Sequence, residues 1–502
     1  MKRAPVQNSP HQSLFTQKNA SVPVWKRIFS GLFWVNFSTA LSGVLGLFLF
    51  SRAMPVSEFG QYILAQTIQL LSQWLFFGWA IYGGLCFASK YAEDQRLSLL
   101  VTRVIVVFSL IGILLVGVVF FAIEFLPPGV QEHQALVKAI VIAVSLRAMA
   151  LFILDIHRGL LDYQRYTRLE SLQTILSPLL GYLCIVYLQG DAEGAFWGIT
   201  VSNLLLLLLD GPWILRHVQF RASKKEQILG QLFRFGSPIS ATVLLNQCAA
   251  SFDRIILAVL LGESSVATYG AAVMLAERPL NVIFNWTGSA SASLGFNAMN
   301  QGRRKNVRDV MEHSAKTLAI LTWPMAFGLI KTASITSTLI VGPQLSEAVA
   351  KIIPYVVLAA LGKAYLEHFF DQFFQFLEQT NRLFLLRAIA MVISSVASLM
   401  LIPLVGLIGP CLGALISSIF SLCIQIPYVL ANFRLRVPWR DLSLILLACL
   451  WMVAVLELFQ QQETLLGMVL LIFIGAVSYS LAILGLGLFD LRLLCDRERP
   501  VR

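Results

Sequence analysis

The stretch SFDRIILAVLLGESSVATYGAA, residues 251–272, decides the fold class of this chain. Asp253 and Arg254 stand side by side in an otherwise apolar run, and the turn GESS at residues 262–265 ends that run. A helix that spans a bilayer needs about 20 mostly apolar residues, because in hydrocarbon every backbone N–H and C=O must be bonded within its own segment. The stretch therefore predicts two membrane-spanning helices joined by a turn, with an ionisable pair inside the first helix.

The composition of the whole chain agrees with this interpretation. Of the 502 residues, 57% are hydrophobic and only 13% are charged, and the mean hydropathy is +0.75. A soluble domain has roughly 25% charged residues. We predict an all-α polytopic membrane protein with about fourteen transmembrane helices, near residues 31–51, 63–85, 104–123, 139–157, 171–188, 195–214, 237–260, 267–291, 317–340, 350–370, 385–402, 408–430, 442–459 and 465–488.

The distribution of Lys and Arg predicts the orientation, since these residues stay in cytoplasmic loops. With a cytoplasmic N-terminus, most of them fall in inside segments, and the outside loops hold only Arg52, Lys138 and Lys351. We therefore predict that both termini are cytoplasmic. The net charge of +11 is spread over these segments beside anionic lipid headgroups, so it does not indicate nucleic-acid binding.

Two internal echoes indicate a duplicated unit. FGQY at residues 59–62 aligns with VATY at 266–269, at an offset of 207, and GAFWG at 194–198 aligns with GPCLG at 409–413, at an offset of 215. Six helices, a second six in the same topology and two extra helices would form two lobes around a central cavity, a recurrent transporter architecture. The predicted divisions are a polar cytoplasmic leader at 1–30, an N-terminal lobe at 31–215, a basic cytoplasmic linker at 216–234, a C-terminal lobe at 235–430, two additional helices at 431–490 and a basic cytoplasmic tail at 491–502.

Several kinds of chemistry have no signature in the sequence. It contains no Gly-x-x-x-x-Gly-Lys-Ser/Thr phosphate loop and no His-Glu-x-x-His site. The seven cysteines form no Cys-x-x-Cys pair, which argues against a metal site or a disulfide framework. No apolar core with a cleavage site precedes the first span, so we expect no removable signal peptide. The longest outside loop, at about residues 124–138, is too short for a glycan-assembling enzyme. We expect a carrier without cofactor or metal, and not an enzyme.

The layout of six, six and two helices, together with DRIIL at residues 253–257 and LIPLVGLIG at 401–409, resembles the polysaccharide flippases of bacterial inner membranes. Their superfamily also holds multidrug and toxic compound extrusion carriers and lipid II flippases. The resemblance covers residues from about 27 to 490. It implies two lobes in a V shape that move an undecaprenyl-pyrophosphate-linked oligosaccharide from the cytoplasmic to the periplasmic leaflet, driven by an ion gradient.

The resemblance also implies partners and a location. The product would serve the synthesis of exopolysaccharide, capsule or the O-antigen of lipopolysaccharide, beside a polysaccharide polymerase and export machinery. The protein would be a multi-pass protein of the inner membrane.

Ionisable groups inside spans are the candidate site residues, since each costs at least a few kcal/mol at the bilayer centre and should face a cavity or a partner. A pyrophosphate needs cations, and Arg offers a bidentate fork. We predict Arg147 and Arg278 as head-group ligands, with Lys331 and Lys363 behind them. For ion coupling we predict Asp253, helped by Asn246 seven residues earlier, and Glu367.

Structural alternatives exist for each of these charges. Lys363 and Glu367 are four residues apart and could simply neutralise each other. Lys331 stands alone and could extend to the outer interface. Asp253 and Arg254 could form a unit that packs against the opposite lobe.

Three other functions stay open from the sequence. An ion-coupled multidrug exporter would have a similar layout, although carriers of that branch usually stop at twelve spans. A lipid II flippase is a second alternative, although the first span and its turn lack the Arg-Asp and Asp-Ala-Phe signatures expected of that branch. A non-transporting scaffold of a glycan-assembly complex fits the spans but leaves the buried cations unexplained.

Overall fold

The computed structural model describes residues 24–125, 131–188, 190–218, 227–300, 304–377, 379–433, 435, 438–459 and 464–488. Within these ranges the chain is helical and forms no strand. The helices of the first half are α1 Val24–Ala53, α2 Val56–Phe76, α3 Gly78–Glu93, α4 Leu97–Ala122, α5 Gln134–Gly159, α6 Tyr163–Leu188, α7 Ala192–Leu209 and α8 Gly211–His217.

The described part of the second half is also helical. Its helices are α9 Ile228–Leu261, α10 Glu263–Asn300, α11 Arg304–Lys331, α12 Ala333–Ile340, α13 Pro343–Tyr365, α14 Asp371–Phe376, α15 Thr380–Val405, α16 Gly409–Phe433, α17 Trp439–Glu457 and α18 Leu465–Gly485. A π-helical turn, Leu366–Phe370, joins α13 to α14, and a 3-10 turn, Gly406–Ile408, joins α15 to α16.

Length and hydropathy make this a multi-pass membrane protein. In the described ranges, ten helical segments are long and apolar enough to span a bilayer, or up to twelve when each of two bent helix pairs counts as one span. Helix α10 is not among them, and residues 381–433 count as one segment although the turn at 406–408 divides them. The all-α polytopic class is confirmed, whereas the count of fourteen is not.

Two spans that the sequence predicts as continuous are broken. Helices α2 and α3 meet at 59°, and α11 and α12 meet at 72°. Phe77 lies at the first break. Its fully buried ring packs edge-on against Phe108, with the ring centroids 4.9 Å apart. Phe77 N still donates to the carbonyl of Gln73 at 3.0 Å, and burial of the ring stabilises the bend, an effect that hydropathy does not reveal.

Helix packing repeats between the two halves. In the first half, α6 packs against α1 and α7, and α5 packs against α2; in the second, α15 packs against α9 and α16, and α13 packs against α10. The shared pattern defines an N lobe, α1–α8, and a C lobe, α9–α16. The lobes meet mainly through α2 and α3 on one side and α9 and α10 on the other.

The two turn regions at the first repeated motif, one at the start of α2 and one between α9 and α10, contact each other across the lobes. Gln61 Nε2 donates a hydrogen bond to Glu263 Oε2 at 2.9 Å. A Cβ atom on Gly60 would overlap the carbonyl of Glu263, so only glycine allows this close approach. Gly262, with φ of +82°, reverses the chain between α9 and α10. The repeated motif is therefore also a lobe contact.

The two extra helices pack on the C lobe. Helix α17 packs against α11, Lys316 Nζ pairs with Asp441 Oδ2 at 2.9 Å, and Tyr479 donates to the carbonyl of Ile320 at 2.8 Å. These contacts join both helices to α11.

The predicted divisions of the chain stay predictions. Most of the leader, the whole basic tail and residues 219–226 of the linker lie outside the described residues. The described end of the linker already belongs to α9, where Gln231 accepts a hydrogen bond from Tyr91 at 3.0 Å.

Candidate substrate and ion sites

Five charged residues of the C lobe form a group that we term the inter-lobe charge cluster: Asp253, Arg254, Glu277, Arg278 and Lys363. They lie on α9, α10 and α13, which pack side by side through α10. Each member interacts electrostatically with at least one other member. The fold thus brings together three sequence-predicted site residues that are 110 positions apart at the extremes, Asp253, Arg278 and Lys363.

The cluster borders the N lobe. Arg254 Nη1 donates a hydrogen bond to Thr67 Oγ1 of α2 at 3.3 Å. Arg278 Nε lies 3.7 Å from the position that a Cβ atom on Gly43 of α1 would occupy. Arg254 therefore packs against the opposite lobe, as one interpretation of the sequence predicted, and the guanidinium of Arg278 lies at the same boundary.

Two cations of the cluster are available to a ligand. The side chains of Arg278 and Lys363 are exposed although both residues lie well inside long helices. Neither makes a hydrogen bond or a close ion pair with any residue in the described ranges. Arg254 Nε is buried and also finds no hydrogen-bond acceptor there. Arg and Lys donors of one cluster that lack close ion pairs to described residues suit an anion such as a phosphate.

Asp253 is the half-buried carboxylate of the cluster. It interacts electrostatically with Lys363, Arg254 and Glu277. Asn246, its predicted helper, is exposed on α9. A carboxylate held among cations at a lobe boundary can bind a proton or a small cation, so the position is chemically suited to coupling.

Glu367 lies in a neighbouring group that we term the C-lobe network: Glu367, Asp371, Arg387 and Gln425. Arg387 Nη1 donates to Glu367 Oε1 at 2.8 Å, and its Nε donates to Asp371 Oδ2 at 2.9 Å. Gln425 Nε2 donates to the other oxygen of Asp371 at 3.3 Å. Arg387 is thus the close partner of Glu367.

Glu367 interacts electrostatically with Lys363, as the four-residue spacing suggested, but its hydrogen-bonded partner is Arg387. Glu367 lies in the π-helical turn that follows Lys363, and a π turn changes the angle at which successive side chains leave a helix. The sequence placed Arg387 in the first turn of the predicted span 385–402, near its cytoplasmic end. Helix α15 begins at Thr380, so Arg387 lies two turns inside it.

Arg147 belongs to a corresponding N-lobe network: Arg147, Glu170, Gln173 and Asn203. Its Nη1 donates to Gln173 Oε1 at 2.7 Å and to Asn203 Oδ1 at 3.5 Å, and its Nη2 pairs with Glu170 Oε1 at 3.3 Å. The sequence did not single out Glu170 because the predicted span began at residue 171. Helix α6 starts at Tyr163, which places Glu170 inside it.

Lys331 has a partner outside the cluster. It forms an ion pair with Glu457, which joins the end of α11 to the end of α17. Hydropathy predicts which helices exist but not which helix ends lie together, so the sequence gave no partner for Lys331.

Metal ligation finds no support in the described part of the chain. No group of three or more His, Cys, Asp and Glu residues there is arranged to hold a metal ion.

Comparison with known proteins identifies the family. The family described as polysaccharide biosynthesis protein matches residues 91–350, just over half of the chain. No curated protein sequence matches significantly.

Solved structures share the fold at low sequence identity. Lipid II flippase MurJ in an inward closed conformation is 18% identical, with a TM-score of 0.67 over 91% of this chain and 97% of that chain. An inward-facing multidrug resistance MATE family transporter of the MOP superfamily is 16% identical, with a TM-score of 0.58 over 84% and 97%. A MOP superfamily transporter from Pyrococcus furiosus is 13% identical, with a TM-score of 0.57 over 82% and 95%. The chain therefore belongs to the polysaccharide biosynthesis protein family and has the fold of the MOP superfamily transporters.

Proposed function

We propose that this protein flips a polyprenyl-pyrophosphate-linked oligosaccharide from the cytoplasmic to the periplasmic leaflet of a bacterial inner membrane. The exposed side chains of Arg278, at the lobe boundary, and of Lys363 carry this proposal, because neither makes a close ion pair with a residue that the structure describes. A pyrophosphate that crosses a bilayer must exchange its water for cations, because an isolated charge in hydrocarbon is very costly. Arg254, whose Nε has no acceptor among the described residues, supplies a third donor.

Alternating access of the two lobes would move the head group. Along α9, Arg254 lies between two lobe contacts: Ser240, whose hydroxyl donates to the carbonyl of Trp74 at 2.6 Å, and the turn at Gly262 beside Gly60. Opening one contact while the other holds would expose the cluster to one side of the membrane at a time. Flipping makes and breaks no covalent bond, so this mechanism needs no catalytic residue and no cofactor.

The head-group site that we propose contains Arg254, Arg278 and Lys363. Arg147 and Lys331 are left out, because carboxylates already neutralise both. For ion coupling we keep Asp253, since it shares the cluster with these cations. Glu367 has a supporting role, because Arg387 already binds it.

The test uses a deletion strain complemented with the double variant Arg278→Gln/Lys363→Gln. Each lost charge-assisted hydrogen bond weakens anion binding by about 1.5–3 kcal/mol, so transport should fall at least about tenfold. We expect the lipid-linked oligosaccharide to accumulate in the cytoplasmic leaflet and exported polymer to disappear.

The matched control is Lys351→Gln, which removes an exposed cation of α13 that pairs with Glu347 at 2.7 Å. This variant should export polymer normally. Normal export by the double variant at wild-type protein levels would reject the proposed function.

A multidrug exporter is the second candidate, because Asp253 and Glu277 place two carboxylates in the cluster that could attract a cationic drug. A deletion strain with normal polymer and new sensitivity to cationic drugs would establish it. Asp253→Asn should abolish transport under either function while the protein still inserts, and full activity of that variant would exclude Asp253 from coupling.

A further inference from the structure

The N lobe contains a cavity of its own, separate from the inter-lobe charge cluster. It has a volume of about 300 Å³, is partly open, and lies between α2, α3, α5 and α6. Small-molecule sites typically measure roughly 300–1,000 Å³, so a single small ring would fit. The proposed function does not use this cavity.

One wall of the cavity is aromatic. Trp74 of α2 and Tyr82 of α3 stack with ring centroids 5.4 Å apart and an interplanar angle of 25°. The break at Phe77 makes this stacking possible, because the 59° bend turns α3 so that the ring of Tyr82 meets the ring of Trp74. Aromatic faces carry partial negative charge and attract the partly positive C–H groups on one face of a sugar ring.

The polar lining of the cavity is balanced in charge. Arg147 pairs with Glu170 at 3.3 Å, and Arg158 pairs with Asp155 at 3.7 Å. The two carboxylates neutralise the two cations of this lining, so a pyrophosphate would find no net positive charge here, in contrast to the three cations and two carboxylates of the inter-lobe charge cluster. Hydroxyl groups, by contrast, both donate and accept hydrogen bonds and therefore suit such a mixed lining.

One carboxylate oxygen of a lining residue, Glu170, lacks a hydrogen-bond donor among the residues that the structure describes. Glu170 Oε1 is bound by Arg147, whereas Glu170 Oε2 is buried and receives no hydrogen bond from any residue that the structure describes. The buried amide of Gln73 also lines the cavity. A ligand hydroxyl would satisfy Oε2, which otherwise stays unpaired at a cost of about 1–3 kcal/mol.

We propose that this N-lobe cavity is the subsite for one uncharged sugar ring of the cargo. The proposal rests on the proposed function, since it assumes that the cargo is an oligosaccharide with its pyrophosphate at the inter-lobe charge cluster. The aromatic wall also connects to the lobe contact, because Ser240 of α9 donates to the carbonyl of Trp74 at 2.6 Å. Movement of the C lobe would therefore displace one wall of the sugar subsite.

The experiment is ligand-observed saturation-transfer NMR on the full chain in lipid nanodiscs free of glycoside detergent. The probes are glucose, N-acetylglucosamine and glucuronate at millimolar concentrations. We expect transfer to the neutral sugars that falls at least about fivefold in Trp74→Leu and in Tyr82→Leu, because each variant removes one ring of the wall. The control Trp451→Leu, on the exposed face of α17, should bind as the wild type does.

Three results would overturn the proposal. They are the absence of transfer to either neutral sugar, equal transfer in Trp74→Leu and wild type, and stronger transfer to glucuronate than to the neutral sugars. Tyr82→Phe keeps the ring and should retain binding, which separates loss of the wall from misfolding.

The outcomes also separate this proposal from the proposed function. Trp74-dependent sugar binding, combined with normal polymer export by Arg278→Gln/Lys363→Gln, would support the subsite and reject flipping through the cluster. Loss of export in that double variant without sugar binding would reject the subsite alone.

Discussion

The two lobes carry ion networks at related positions but with opposite signs on their second helix. Arg147 and Lys363 are 216 positions apart, and Glu170 and Arg387 are 217 apart. In the N lobe the cation lies on α5 and its carboxylate on α6; in the C lobe the carboxylates follow α13 and the cation lies on α15.

This reversal decides which cation of each lobe is held in a close ion pair. Glu170 neutralises Arg147 within the N lobe. In the C lobe, Arg387 binds the carboxylates beside Lys363, and the Lys363 side chain is left exposed. A duplicated scaffold with opposite charges on its second helix thus holds Arg147 in a close ion pair in one lobe and leaves Lys363 without a close ion pair to a described residue in the other.

The largest predicted effect compares the two arginines. Arg387→Met leaves two carboxylates, of which that of Asp371 is only 4% exposed, and we expect a loss of about 3–5 kcal/mol in the free energy of unfolding. Arg147→Met leaves one carboxylate that is 12% exposed and should cost less. Denaturant unfolding followed by tryptophan fluorescence in nanodiscs measures both. A larger loss of unfolding free energy in Arg147→Met than in Arg387→Met would show that Arg387 does not neutralise the more deeply buried carboxylates.

The contact between the lobes offers the next test. Gly60→Ala places a Cβ atom against the carbonyl of Glu263, so the lobes must separate there, at a cost of about 1–3 kcal/mol in stability. Gly117→Ala is the matched control, because open space surrounds that position in α4, and a small gain of about 0.5–1 kcal/mol is expected. Equal stability of Gly60→Ala and wild type would mean that this end of the lobes is not closely packed.

A double-mutant cycle sharpens the comparison within the N lobe. Arg147→Met and Glu170→Gln should couple by about 1–2 kcal/mol, because they break the same partly buried ion pair. The cycle of Lys351→Met and Glu347→Gln, an exposed pair, should show no measurable coupling. Additive effects in the first cycle would indicate that Arg147 is not neutralised and would restore it as a head-group ligand.

The smallest effect is expected outside both networks. Lys331→Met removes the pair with Glu457, whose side chain is 67% exposed, and should cost about 0–1 kcal/mol. Polymer export should stay normal, in contrast to Lys363→Met. Loss of export without loss of protein would place Lys331 in the transport path.

Much of the candidate site follows from counting charges in apolar segments. That reasoning identified Arg278, Lys363 and Asp253, which the fold brings into one cluster. It missed Glu170, one residue before the predicted span 171–188, and Arg387, in the first turn of the predicted span 385–402, because both helices begin earlier than predicted. Their offset of 217 is the one sequence signal that could have related them.

The sequence by itself determined the class of the protein. An apolar chain must bond its backbone internally within a bilayer, so runs of about 20 apolar residues specify helices, and repeated motifs specify two related lobes. Tertiary structure alone decided which charges are neutralised. Arg147 and Lys363 occupy corresponding positions, and only the neighbours contributed by α6 and α15 make one a closed ion pair and leave the other exposed. Electrostatic energy depends on the distance between groups, and that distance is set by helix packing and not by position along the chain.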